Sequence, residues 1–218
     1  NQECNYKCPH CIIGTPKEVE EFYEGTYLNF DDYKNIIDQG AEYNCPSVSP
    51  QGNNEPFLIK DLHKYIEYAH KKGFIDIMLN NNGSALTKKR AQQILDSGLT
   101  RLRFSLDAYD DKTYSKVRVG SIALDRVKRN IENFLELKEK GGYKLPIVGV
   151  SFCVLKQNEN EVDQFTNYWK NKVDIISIQK FVPPTPNKEK YREYYSSDQY
   201  HEKPLDKFNC VQPYQRLV

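Results

Sequence analysis

Between residues 47 and 181, short β-branched runs alternate with longer stretches whose apolar positions recur every three or four residues. Ser47, Val48 and Ser49 form a short strand candidate, followed by a helix over residues 59–72 with Leu62, Ile66 and Ala69 on one face. Residues 74–79 read as a strand, after which Thr87 caps a helix that runs to Ser97 and stops at Gly98. Residues 102–106 are the next strand. A long helix over 122–140 carries Val127, Ile131, Phe134, Leu135 and Leu137 and is closed by Gly141 and Gly142. Residues 147–155 form an apolar strand, 161–170 a helix and 174–181 the last strand. Alternating units of this kind predict an α/β fold with a parallel sheet covered by helices, and the near-continuous apolar run at 147–155 suits a strand buried on both faces. About five strands are visible, and a sixth is expected ahead of Asn1. An open doubly wound sheet and a partial barrel fit this periodicity equally. After Phe181 the pattern stops, and Pro183, Pro184, Pro186 and a Tyr-rich polar stretch to Lys207 read as a linker. The chain divides accordingly into 1–182 and 183–218.

Length and charge narrow the possibilities. A chain of 218 residues buries about 70% of its unfolded surface and needs no disulfide staples. Lys plus Arg number 31 against 30 acidic residues, which argues against a nucleic-acid groove or an anionic membrane patch as the main partner. No run is long and apolar enough for a membrane span, and no signal-peptide pattern opens the chain. Met78 is the only methionine and the chain opens at Asn1, so it reads as an excerpt of a longer protein.

Cysteine spacing changes the picture most. Six cysteines stand at 4, 8, 11, 45, 153 and 210, three of them within eight residues. A disulfide framework would spread its cysteines through a short secreted chain. Three closely spaced thiols suit a metal or cluster in a reducing compartment, and the cytoplasm is the expected location. An iron–sulfur cube needs soft anionic ligands converging on a small volume, and three ligands leave one iron open for chemistry. A zinc site completed by His10 or a distant cysteine is the alternative, although no second short knuckle of ligands lies nearby.

The motif Cys4-x3-Cys8-x2-Cys11, with Tyr6 inside it and Pro9-His10 before its last ligand, resembles the cluster loop of the radical S-adenosylmethionine (radical SAM) enzyme family. The likeness continues along the chain in the family's order. Gly52-Asn53-Asn54-Glu55-Pro56 is similar to the Gly-Gly-Glu-Pro motif, with Asn in place of the second glycine, a residue that tolerates positive φ. Asn82-Gly83 resembles the family's Thr-Asn-Gly turn, with Asn81 for threonine. Ser105-Leu106-Asp107 resembles its Ser-Leu-Asp segment, and Arg118 matches an arginine that several members set against the cofactor carboxylate. The resemblance implies a partial (β/α)6-type barrel and a [4Fe-4S] cluster on Cys4, Cys8 and Cys11. It also implies S-adenosylmethionine held by Gly52, Asn54, Glu55, Asn82, Ser105 and Arg118. In a parallel barrel ligands gather at the carboxyl ends of the strands, where the cysteine loop, Gly52–Glu55, Asn82 and Ser105 fall. Glu55 would accept from the cofactor ammonium, and Ser105 and Arg118 would donate to its carboxylate.

The tail from Phe208 to Val218 resembles the opening of the auxiliary-cluster extension called SPASM, truncated here, with Cys210 a ligand of a possible second iron–sulfur cluster. The activity implied is reductive cleavage of S-adenosylmethionine to a 5′-deoxyadenosyl radical that abstracts hydrogen from a substrate. Residues 172–184 resemble the subgroup tied to glycan and sugar pathways, which favours a sugar, polyol or glycan-linked substrate. A peptide maturase is the alternative, and a non-catalytic zinc or interaction module the alternative of another class. Implied partners are a small-molecule, glycan-linked or peptide substrate and an electron donor such as flavodoxin or ferredoxin. Cys153, Cys45, His63 and His70 read as packing or surface residues, and no phosphate loop or hydrolase motif is present.

Overall fold

The computed structural model describes residues 3–14, 28–183 and 189–197. Its centre is a five-stranded, wholly parallel sheet: β1 (Ser47–Val48), β2 (Asp76–Asn81), β3 (Arg101–Ser105), β4 (Ile147–Val154) and β5 (Ile175–Lys180). The strands lie in sequence order, and the register sets Met78 beside Arg101, Arg101 beside Ile147 and Gly149 beside Ile175. A doubly wound sheet reverses its strand order at a switch point. No reversal occurs here, and right-handed crossovers then put every connecting helix on one face, so the sheet is part of a barrel wall.

The helices are α1 (Phe30–Glu42), α2 (Leu62–Lys71), α3 (Lys88–Asp96), α4 (Asp111–Val117), α5 (Leu124–Lys140) and α6 (Val162–Trp169). Predicted and observed bounds agree to within about two residues for α3, α5, α6 and every strand. The predicted helix over 59–72 begins later, at Leu62, because Pro56–Leu58 forms a separate 3-10 turn. Helices α1 and α4 have no counterpart in the sequence expectations. The first starts where the Asn29 side chain accepts a hydrogen bond from the Asp32 amide at 2.8 Å, and it buries Tyr33 and Ile37. The second starts where Asp110 accepts from the Thr113 amide at 2.8 Å, and it ends by delivering Arg118.

The core lies between the sheet and its helices, with buried side chains from α1, α2, α3, α5 and α6. Val148, Val150 and Phe152 of β4 are fully buried, as the apolar run requires. Phe104 meets Phe134 edge-on at 6.2 Å, and Phe152 meets Phe165 at 4.9 Å. Each such side chain contributes about 1.5–3 kcal/mol through burial. By contrast β5 leaves Ile175 and Ile178 exposed. The 3-10 turn Glu189–Tyr194, which falls in the stretch read as linker, packs against the sheet domain. Tyr191 and Tyr195 are buried there around Phe181, and the Lys156 amide donates to the Tyr194 carbonyl at 3.1 Å. Among the described residues no helix is long and apolar enough to cross a membrane.

Candidate active site

The cysteine loop lies across the carboxyl ends of the strands. Its backbone winds tightly: the Cys11 amide donates to the Cys8 carbonyl and the Gly14 amide to the Cys11 carbonyl, both at 3.0 Å. A Cβ on Gly14 would run into the Cys8 carbonyl oxygen, so only glycine lets the loop close this way. Cys8 is buried, while Cys4 and Cys11 are half-buried, and no disulfide joins cysteines among the described residues. Burial pushes the Cys8 thiol up to about 11 against the opposing pull of Arg118, and burial also raises Cys4.

Two strand-end loops and the end of α4 hold this segment. From the loop after β1, the Glu55 amide donates to the Glu3 carbonyl at 2.9 Å. From the turn after β2, Asn82 Nδ2 donates to Asn5 Oδ1 at 3.0 Å, and Asn5 Nδ2 donates to Ser84 Oγ at 2.9 Å. From the end of α4, the Val119 carbonyl accepts from the Lys7 amide at 2.7 Å, and Arg118 NH1 lies 3.8 Å from Cys8 Sγ. Glu55 couples the two loops to each other. Its Oε2 accepts from the Asn82 amide at 2.7 Å, and its Oε1 accepts from the Phe57 amide at 3.1 Å. Burial nevertheless pushes its carboxyl up to about 7, because those two amides and Arg118 offset only part of the desolvation.

Of the residues singled out from the sequence, Glu55, Asn82 and Arg118 thus meet the cysteine loop. Gly52 and Asn54 bond to one another, the Gly52 amide donating to Asn54 Oδ1 at 3.2 Å. Asn54 does not adopt the left-handed backbone expected of a glycine replacement, because the described non-glycine residues with positive φ are Asn44 and Asp107. Gly52 also lies outside that region, whereas Gly83 occupies it at φ 72°. Ser105 Oγ accepts from Ser151 Oγ on the neighbouring strand at 3.3 Å. Cys210 lies outside the described residues. Cys45 Sγ donates to the Ser47 carbonyl at 3.5 Å, and Cys153 is half-buried with its thiol raised to about 12 by burial and by Asp107. A shallow depression lined by Phe57, Leu62, His63 and Arg90 contains none of the cysteine-loop residues.

Sequence reasoning missed the role of Asp107. Its side chain is only 2% exposed, with Oδ2 at 2.6 Å from Arg118 NH2 and 3.3 Å from His10 Nε2. Its Oδ1 accepts from the Cys153 amide at 2.8 Å, and its carbonyl accepts from Asn158 Nδ2 at 2.7 Å. Burial works to raise the Asp107 carboxyl, but Arg118 and His10 outweigh it and hold the group below the usual carboxylate range. The sequence shows only that Asp107 follows a strand end; its left-handed backbone, φ +59°, which turns the carboxyl toward Arg118 and His10, is visible in the structure alone.

Arg118 Nε and His10 Nδ1 are buried without a hydrogen-bond partner. Buried polar atoms ordinarily find partners, so a bound group with an acceptor for Arg118 Nε fits here. Three thiols on one loop, a guanidinium beside one of them and these two orphaned atoms are compatible with an iron–sulfur cluster and an anionic cofactor. Among the described residues, no three His, Cys, Asp or Glu side chains close on a single-ion position. A cube takes one thiolate per iron corner, a wider arrangement than the ligands of one zinc ion.

The sequence profile of the radical SAM superfamily matches residues 2–168. The chain belongs to that superfamily. Among curated relatives, a probable GTP 3',8-cyclase of Methanococcus maripaludis is 29% identical over 84% of this chain and 58% of its own length. The GTP 3',8-cyclase of Thermodesulfovibrio yellowstonii is 30% identical over 97% of this chain and 63% of its own. The chain therefore spans about three fifths of the length of these relatives. Among solved structures, Streptococcus suis SuiB bound to S-adenosylmethionine aligns with TM-score 0.67 and 18% identity, covering 90% of this chain and 41% of SuiB. That likeness establishes the fold: the parallel sheet is the partial barrel of a radical SAM domain.

Proposed function

We propose that the chain is the catalytic core of a radical SAM enzyme, in which Cys4, Cys8 and Cys11 hold a [4Fe-4S] cluster and the adjoining loops hold S-adenosylmethionine. The observation that carries this reading is the cysteine loop pinned to the loops bearing Glu55, Asn82 and Arg118. Bound together, the two cofactors supply reductive cleavage of the carbon–sulfur bond, giving a 5′-deoxyadenosyl radical that takes hydrogen from a substrate. The protein positions and shields. Glu55, buried with one lone pair free on each carboxylate oxygen, is the acceptor for an ammonium. Arg118 Nε, with no partner of its own, is the donor for a carboxylate, and Ser105 is a second donor. Gly52 and Asn54 shape the loop that presents Glu55. The packed turn at 189–194 helps close the barrel mouth against water beside His10 and Phe181. Cys210 is a ligand of an auxiliary cluster in this reading, the chain works in the cytoplasm, and a flavodoxin or ferredoxin delivers the electron.

The substrate lean drawn from residues 172–184, toward a sugar, polyol or glycan, gains no support from the relatives above. The peptide alternative does: SuiB, the fold relative, is known bound to a precursor peptide, SuiA. A peptide is therefore the proposed substrate. A nucleotide is the second reading, supported by curated relatives that are GTP 3',8-cyclases.

Anaerobic reconstitution with iron and sulfide tests the core reading. Four irons on the loop cysteines, and 5′-deoxyadenosine formed with S-adenosylmethionine and dithionite, are expected. Zinc bound in place of iron and sulfide would overturn it. Incubation with GTP, followed by mass analysis for a cyclised product, separates the nucleotide reading from the peptide one.

A further inference from the structure

Arg118 does something the cofactor-carboxylate reading does not require. Its fork is divided: NH2 lies 2.6 Å from Asp107 Oδ2, NH1 lies 3.8 Å from Cys8 Sγ, and Nε has no partner. The two side chains are 13% and 2% exposed, so the pair is nearly out of water. Asp107 is itself fixed on three sides, by the Cys153 amide, by Asn158 through its own carbonyl, and by His10. Asn158 also spans to the Cys153 carbonyl at 2.9 Å and to the Leu155 amide, which donates to its Oδ1 at 2.7 Å. The end of β4 is thereby a rigid anchor for Asp107, and Asp107 an anchor for the guanidinium.

We infer that the Asp107–Arg118 pair is a device for setting the reduction potential of the cluster, with Arg118 the charge beside the Cys8 sulfur and Asp107 its positioning residue. The physical argument is electrostatic. Reduction adds one negative charge to the cluster, and hydrogen bonds and positive charge at a ligand sulfur stabilise the reduced form. In a site this dry the effect is little screened. Asp107 both aims the guanidinium and offsets part of its charge, so the two residues act with opposite sign. The inference rests on the proposal that Cys4, Cys8 and Cys11 hold the cluster.

The test is a redox titration of the reconstituted protein without S-adenosylmethionine, followed by the electron paramagnetic resonance signal of the reduced cluster. Iron and sulfide content is measured in every variant. Arg118→Gln is expected to lower the reduced-to-oxidised ratio at a fixed potential at least tenfold, which is 59 mV for a one-electron couple. Asp107→Asn is expected to raise that ratio, and Arg118→Lys to fall between parent and Arg118→Gln because it keeps the charge and loses the fork. Ratios within twofold of the parent in all three variants would overturn the inference. So would shifts of the same sign in Arg118→Gln and Asp107→Asn, the mark of a loosened loop. If Arg118→Gln does not load iron, the other two variants decide, and failure of those to load would show that the pair holds the loop instead. A parent without any cluster signal would defeat the proposed function itself, a different result from a loaded cluster whose potential does not move.

Discussion

Two Arg–Asp pairs stand at opposite ends of the same sheet. At the amino ends of β2 and β3, Arg101 meets Asp76 with its whole fork, Nε donating to Oδ1 at 2.7 Å and NH2 to Oδ2, and both side chains are about a third exposed. At the carboxyl ends, Arg118 shares its fork between Asp107 and a cysteine sulfur, and the two side chains are nearly out of water. The better-formed pair is the one in solvent, where such pairs contribute about 0–1 kcal/mol. The poorer-formed one carries a desolvation cost that apolar residues of similar volume would avoid. Stability does not account for the second pair, and its neighbours, Cys8 and His10, do.

The comparison breaks most completely at the sulfur. Cys8→Ala removes the third partner of the buried pair and is expected to abolish 5′-deoxyadenosine formation, with cluster content falling in parallel. Next, Asp107→Ala leaves Arg118 buried without its counter-charge and should cost about 3–5 kcal/mol in urea unfolding, whereas Arg101→Ala should cost about 1 kcal/mol or less. Equal costs at the two ends would remove the distinction.

A smaller effect follows from Glu55. Its folded value, about 7, lies above the unfolded value of 4.5. Between those values the folded state binds the extra proton, so cofactor-free protein loses stability as pH rises through that window, by up to about 1.4 kcal/mol per pH unit. Above the window the slope vanishes, and Glu55→Gln should remove it; urea unfolding from pH 4.5 to 8 checks this. Smallest of all, Cys153→Ala should leave cofactor cleavage near the parental rate, because it is the Cys153 amide, and not its thiol, that touches Asp107.

Much of this was legible in the sequence, for definable reasons. Strand β4 stands out as an apolar run because it is buried on both faces along most of its length, whereas β3 shows as an alternation, Leu102 and Phe104 buried between the more open Arg101, Arg103 and Ser105. Asn29 and the spacing of Phe30, Tyr33 and Ile37 also announce α1, although that signal lies between two louder ones. Helix α4 has seven residues, too few for a period to emerge. The cysteines, Glu55 and Asn82 were readable from their order and their place at strand ends. The partnership of Asp107 and Arg118 was not, since it depends on where α4 stops and on an unusual backbone angle at Asp107. Nor could spacing show that Tyr191 and Tyr195 are buried, because a single 3-10 turn has neither helical nor strand periodicity.

The left-handed backbone at Asp107 has a consequence for how this chain can diverge. A β-branched or bulky side chain at φ +59° is excluded by its own Cβ, leaving aspartate, asparagine and glycine as the residues that settle there without strain. Drift at this position is therefore channelled through a nearly isosteric neutral neighbour before anything else. A lineage could retune its electron affinity by one amide-for-acid exchange while the surrounding architecture stays put.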